Sequence, residues 1–281
     1  MGYLMENKYI EKDNVKIYTE SFGDSTNPAV ILIMGLGSSL VWWDESFCEL
    51  LVDQGYYVIR YDNRDTGKST VYPHNTANYT IDDLTDDVIR ILDDYKIEKA
   101  HFVGMSMGSV VAQLIGYNYP NRVLSLSLIA SYYLGNTHHD LPVYTDEVKE
   151  FFASYDATIP KDVDEYVEKI LVQWQVTNKS SRYKDLAHIR KMIKLDITRA
   201  NDYESRMNHS LLVYNPIDLD KISSRVLLVH GDEDIVLPLV HAQKLHEELP
   251  NSRLVILSGA GHELNPDDYQ IFITAFKSAQ N

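Results

Sequence analysis

The sequence predicts a doubly wound, mostly parallel α/β sheet carrying an inserted helical lid, and three observations support that prediction. Continuous apolar runs recur at 29–34, 56–61, 100–104, 124–130, 225–230 and 253–257, which suits parallel strands covered on both faces. Helical periodicity fills the gaps between the runs, at 43–53, 81–95, 107–118, 239–248 and 267–278. From about 135 to 215 this alternation stops, and several helical patterns follow one another with no strand run.

In chain order, K-Y-I-E-K and V-K-I-Y-T-E-S-F flank Asp13-Asn14 and read as an antiparallel hairpin. The segment 81–95 places apolar residues at 81, 84, 88, 91, 92 and 95, one stripe of a helix. The interrupted region contains Y-T-D-E-V-K-E-F-F, V-D-E-Y-V-E-K-I-L-V-Q-W and L-A-H-I-R-K-M-I, three further helices. An all-helical insertion between two strands of one sheet is expected to lie over the carboxyl edge, where open α/β sheets bind ligands. The expected organisation is therefore a core of residues 1–134 and 216–281 with a helical lid at 135–215.

Composition narrows the functional class. Of 281 residues, 44% are hydrophobic and 24% charged, with no apolar run near the roughly 18 residues of a membrane span. The start, M-G-Y-L-M-E-N-K-Y-I, lacks the basic and apolar regions of a secretory signal, so a cytoplasmic location is expected. A net charge of −15 repels phosphate backbones and anionic membrane surfaces, so neither nucleic acid nor membrane is an expected partner. The single cysteine, Cys48, excludes an intramolecular disulfide and reads as a buried structural thiol.

The stretch G-M-S-M-G at 104–108 carries the chemistry. A buried strand precedes Ser106 and a helix follows it, the setting of a nucleophile elbow. So sharp a turn strains the serine backbone and brings the residues two before and two after it against neighbouring main chain. Gly104 and Gly108 remove the side chains that would clash, while Met105 and Met107 point into apolar packing. The hydroxyl is left at a helix N-terminus, where the dipole and free N–H groups favour a developing oxyanion.

A serine hydroxyl needs a base, and the base an orienting acid. Of ten histidines, His262 in S-G-A-G-H-E-L stands out, on a glycine-rich loop after the last strand. His74, His138, His139, His188, His209, His241 and His246 read as solvated or packed, and His101 and His230 as core residues of strands. The acid is expected just after the preceding strand, where V-L-L-V-H-G-D-E-D-I-V-L-P offers Asp232, Glu233 and Asp234. Spacing alone does not choose among the three.

With these motifs assembled, the chain resembles the α/β-hydrolase family over essentially its whole length. M-G-L-G-S-S-L-V-W-W, D-N-R-D-T-G-K-S, G-M-S-M-G, G-D-E-D-I-V-L-P and G-A-G-H-E carry the likeness. Within the family it is most similar to cofactor-free carboxylic ester hydrolases of the aclacinomycin methylesterase type, which have a loop similar to R-Y-D-N-R-D-T-G-K-S-T. The resemblance implies a triad of Ser106, Asp234 and His262, since the family's acid is the fourth residue of G-x-x-D-x-x-x-P. It also implies an oxyanion hole of the Leu36 and Met107 backbone N–H groups, with no cofactor and no metal. Two positions depart from the family pattern: Met34-Gly35 replaces the usual His-Gly, and Ser109 stands where a smaller residue is common.

The expected activity is hydrolysis of a small, largely apolar carboxylic ester through an acyl-enzyme. A serine at 106 disfavours haloalkane dehalogenase and epoxide hydrolase chemistry, which needs a carboxylate there. A lactonase, thioesterase, carbon–carbon hydrolase or proline-type peptidase would share the triad, and a ligand sensor of slow or no turnover is the rival from outside enzymology. Asp62, Arg64 and Gly67 are expected to shape their loop, with Arg64 donating to backbone carbonyls. Trp42 and Trp43 read as packing residues, one of which could line the pocket. Tyr132, Tyr133, Phe151, Phe152, Tyr155, Trp174 and Tyr214 are the aromatic supply for an apolar pocket.

Overall fold

A computed structural model describes residues 5–76, 78–137, 140–154 and 158–280. His138, His139 and Tyr155 of the sequence reading lie outside them. The described strands form one eight-stranded sheet in the order β1-β2-β4-β3-β5-β6-β7-β8. β1 (Met5–Lys12) and β2 (Val15–Phe22) are the antiparallel hairpin, with Asp13 and Asn14 at φ 52° and 63°, as a tight hairpin turn of this hand requires. β2 pairs antiparallel with β4 (Tyr57–Tyr61). From there β3 (Ala29–Ile33), β5 (Ala100–Met105), β6 (Val123–Ile129), β7 (Arg225–Gly231) and β8 (Ser252–Leu257) run parallel.

Strand alternation feeds two cores. On β3, Ile31 and Ile33 join the cluster under α2 (Ile81–Asp94), α3 (Met107–Asn118) and α7 (Val240–Glu248). Val30 and Leu32 join the opposite cluster, under α1 (Glu45–Asp53) and α8 (Tyr269–Gln280). Cys48 lies wholly inside that second cluster, where burial pushes its thiol up to about 12 and keeps it an unreactive packing group. Among the described residues no helix is long and apolar enough to cross a membrane.

Between β6 and β7 lie α4 (Asp146–Ala153), α5 (Val163–Thr177), α6 (Leu186–Arg199) and a 3₁₀ helix at Glu204–Leu211. The segment leaves and re-enters the sheet at one place: Ile217 N–H donates to the Leu134 carbonyl at 2.9 Å. α5 and α6 share a small core of their own around Val167, Ile170, Ile189 and Ile193.

The loop 62–69 holds these helices down. Arg199 at the end of α6 forks onto Asp62 at 2.8 and 2.9 Å, and Asp62 also accepts from the N–H groups of Leu40 and Lys68. A Cβ on Gly67, at φ 52°, would stand 2.3 Å from the Asp62 carboxylate, so only glycine leaves room for the pair. Arg64 is a structural residue as expected, but its partner is different. Its guanidinium forks onto Asp87 of α2 at 2.7 and 3.0 Å rather than onto backbone carbonyls, because a buried fork meets a carboxylate best.

The Asp62 side chain is fully buried and that of Arg199 only 9% exposed, so removing the cation leaves an uncompensated charge. Arg199→Met should cost about 3–5 kcal/mol in urea unfolding, and adding Asp62→Asn should recover part of it. An unchanged midpoint in Arg199→Met would contradict the assignment.

His101 and His209 are buried, and desolvation lowers both to about 4 from 6.5. Their neutral forms fold, so the unfolded chain takes up protons first as pH falls below 6.5. Stability should be full above pH 6.5 and decline towards pH 4, each residue contributing a loss of roughly 2 kcal/mol by pH 5. Urea unfolding at pH 7 and pH 5 measures this, and His209→Asn should flatten the dependence.

Candidate active site

The elbow is built by steric exclusion. Ser106 sits at φ 53°, ψ −119° between β5 and α3, a conformation strained for any side-chain-bearing residue. A Cβ on Gly104 would stand 2.1 Å from the Gly108 carbonyl oxygen, and one on Gly108 would stand 2.1 Å from that of Ile33. Both glycines are therefore obligatory, and they let α3 start directly on the sheet. Met105 and Met107 are buried in opposite cores. The Ser106 N–H donates to the Ile129 carbonyl at 3.0 Å, which ties the turn to β6.

His262 Nε2 lies 3.0 Å from Ser106 Oγ, and its Nδ1 lies 2.8 Å from Asp234 Oδ2. The three residues, 28 and 156 positions apart in sequence along these two contacts, meet at the carboxyl edge of the sheet. Asp234 Oδ1 accepts from the N–H groups of Val236 and Leu237 at 2.9 and 2.8 Å, which aims Oδ2 at the imidazole. Burial pushes the Asp234 carboxyl up. The facing His262 and His230 rings and their hydrogen bonds outweigh that and hold it well below the usual carboxylate range. For His262 burial disfavours the cation, but the charge and hydrogen bond of Asp234 prevail and raise it above 6.5.

The two other acids of the loop face elsewhere. Glu233 is exposed, and exposed Asp232 accepts from the Gly259 N–H at 2.6 Å, which ties the acid loop to the histidine loop. His230 is in β7 as expected, yet it contributes here: Nδ1 accepts from Ser131 N–H, Nε2 donates to Leu237 O at 2.7 Å, and Asp234 Oδ2 is 3.4 Å away.

The first strand-to-helix loop abuts the serine. A Cβ on Gly35 would stand 3.2 Å from Ser106 Cβ. Among the described residues, no acceptor takes the Leu36 N–H, and Met107, as the first residue of α3, has no acceptor within its helix. Ser109 stabilises the elbow, its hydroxyl donating to Ser106 O at 2.6 Å and accepting from Ser131 at 2.9 Å.

His209 is the contribution that sequence did not reveal. Fully buried, it accepts from the Gly37 N–H through Nδ1 at 2.9 Å and donates to the Arg64 carbonyl through Nε2 at 2.8 Å. It thus clamps the loop carrying Leu36. Its partners are 172 and 145 residues away in sequence, so no local pattern could have marked it.

These groups open onto a cavity of about 360 Å³ between the sheet edge and the inserted helices. Tyr132, Phe152, Trp174 and Tyr214 line it, together with Trp42 and Trp43. Phe151 and Tyr133 do not line it; Tyr133 instead donates to Glu248 from the α7 side. Trp42 joins the core to α6, its Nε1–H donating to Asp196 at 2.8 Å. Glu263, next to His262, accepts from Ser181 and from the Gly261 N–H at 3.2 Å, and burial raises its carboxyl. Among the described residues no group of three or more His, Cys, Asp or Glu is arranged to hold a metal ion.

Known proteins agree with this architecture. The sequence model of the alpha/beta hydrolase fold matches residues 28–269. Rhodomycin D methylesterase DauP of Streptomyces sp. (strain C5) is 28% identical over 92% of this chain and 93% of its own length. Rhodomycin D methylesterase DnrP of Streptomyces peucetius is 27% identical with the same coverage. The crystal structure of a hydrolase from Pseudomonas aeruginosa PA01 superposes with a TM-score of 0.74 over 98% of each chain at 22% identity. With the family model matched over residues 28–269, most of its length, the chain belongs to the α/β hydrolase fold family.

Proposed function

We propose that this protein is a serine hydrolase that cleaves a small, largely apolar carboxylic ester through an acyl-enzyme. The observation that supports this most directly is the chain of short contacts from Ser106 Oγ to His262 at 3.0 Å and on to Asp234 at 2.8 Å. Ser106 attacks the ester carbonyl as His262 Nε2 takes its proton. The imidazolium then protonates the departing alcohol, and a water deprotonated by the same ring releases the acid. Asp234 fixes the tautomer and stabilises the cation. The N–H groups of Leu36 and Met107 hold the oxyanion, each worth on the order of 100- to 1,000-fold in turnover.

The aromatic cavity favours an apolar substrate, and the inserted helices act as its lid, excluding water from the acyl-enzyme. Similarity to two methylesterases points to a small alcohol group. The leaving group is accordingly proposed to be methanol or a similar short alcohol.

A screen of methyl and p-nitrophenyl esters tests the reading, with a fluorophosphonate probe expected to label Ser106. Ser106→Ala should abolish labelling and lower turnover by at least about a thousandfold. Persistent labelling would refute the nucleophile. Asp234→Asn should lower turnover by about 10⁴-fold, as loss of the orienting acid does. Asp232→Asn should have a far smaller effect, since an amide oxygen can still accept from Gly259.

The sign of the pH dependence follows from His262. The base works only when neutral, and Asp234 raises its pKa, so kcat/KM should fall as pH drops through a value above 6.5. In Asp234→Asn that acidic limb should move to lower pH. A limb that stays in place would separate the titration from His262.

A further inference from the structure

Arg206 is the cation of the cavity wall that the hydrolytic residues leave unused. It lies on the 3₁₀ helix Glu204–Leu211, where three residues make a turn, so residues 206 and 209 share a face. His209 pins that face to the Gly37 N–H, and the Arg206 guanidinium is brought to the same loop. A Cβ on Gly37 would stand 3.3 Å from Arg206 Nη1 and 3.7 Å from its Cγ, so the absent side chain leaves room for it. Tyr203 supports the guanidinium from below, 4.5 Å from ring centroid to Cζ.

Among the described residues Arg206 forms no ion pair, and its Nε is buried with no acceptor. The other arginines differ. Arg60, Arg64 and Arg199 fork onto buried acids, and Arg225 and Arg253 at the surface donate to Gln280 and Ser278. Of the acids of the cavity wall, buried Asp196 feels the Arg206 charge, but none of them accepts a hydrogen bond from it. Asp196 accepts from Trp42, Asp44 caps α1 through Ser46 N–H, and Glu263 is held by Ser181 and Gly261. Nε is too enclosed to receive a ligand, so an acceptor in the cavity meets the Nη groups, from which no described residue accepts, through a charge-assisted bond.

We propose that Arg206 is a specificity-determining residue whose guanidinium receives an oxygen acceptor, a carboxylate or a ketone, carried by the acyl part of the substrate. This rests on the serine-hydrolase reading above, because it takes the scissile carbonyl to sit at the Leu36 N–H. Arg206 meets the loop at Gly37, one residue on from Leu36, so the acceptor is placed a short spacer away from that carbonyl, and a three-carbon spacer is the one tested. The preferred substrate is then apolar along its length, with one accepting oxygen beyond the ester.

Three matched esters test this: methyl hexanoate, methyl 5-oxohexanoate and monomethyl glutarate. The wild type should prefer at least one acceptor-bearing ester over methyl hexanoate by about ten- to a hundredfold in kcat/KM. Arg206→Leu should collapse that ratio, chiefly through KM. Arg206→Lys should keep part of it for the carboxylate and lose it for the ketone, which lacks a matching charge. The preferred ester identifies which oxygen is recognised. No preference in the wild type, or an equal loss on all three esters in Arg206→Leu, would overturn the proposal.

Binding keeps this separate from the catalytic reading. Calorimetric titration of Ser106→Ala with the preferred acceptor-bearing ester needs no turnover, and Arg206→Leu in that background should weaken binding by the same factor. If the esters bind in this Arg206-dependent way but are never hydrolysed, the hydrolase reading fails and the recognition stands. If Arg206→Leu does not fold, Arg206→Gln takes its place in both measurements, with a smaller but parallel loss expected. An unchanged ratio in that variant counts against the proposal.

Discussion

Main-chain contact at the elbow sets the rest of the site. Gly104 rests on the Gly108 carbonyl and Gly108 on that of Ile33, distances that no Cβ could occupy. Because α3 begins at that contact, Ser106 is forced to a positive φ and its hydroxyl out over the carboxyl edge. The strain is held by neighbours on both sides, through the Ser106 N–H on Ile129 and the Ser109 hydroxyl on Ser106 O. A hydroxyl fixed in this way is already oriented, as the proposed role of nucleophile requires.

The loops around the elbow are fixed by polar contacts that join separate parts of the chain. Asp234 gives one oxygen to two backbone N–H groups and the other to His262, so its orientation is decided before the imidazole is placed. Asp232, two residues earlier, ties the histidine loop to the acid loop through Gly259. Neighbouring carboxylates thus do different work, one facing the site and the other bracing it.

The inserted helices are tied to the same loops. Arg199 on Asp62 and His209 on Gly37 and Arg64 anchor the far end of the insertion to loops of the core. Wall and floor of the cavity are therefore one polar network, and the segment that shapes the pocket also braces the loop bearing Leu36. The pairs are buried and specific in geometry, so breaking one is expected to disturb the cavity as well as stability.

The elements themselves were legible along the chain. The strand runs, the Asp13-Asn14 hairpin and the helices of the insertion recur close to their expected places, although α6 runs past its pattern to Arg199, because apolar periodicity and turn chemistry are local properties. The Gly-Met-Ser-Met-Gly spelling was legible for the same reason: its sterics act over five residues. Spacing alone left Asp232, Glu233 and Asp234 open and the family resemblance singled out Asp234; in the fold it is Asp234 whose carboxylate faces His262. Arg64 was expected to meet backbone, yet Asp87 arrives from α2 to take its fork. By itself the sequence determined the sheet, the insertion and the elbow. Tertiary structure alone decided that Arg199, Arg206 and His209 meet loops more than a hundred residues away, because such contacts depend on how distant segments pack and leave no trace in local pattern.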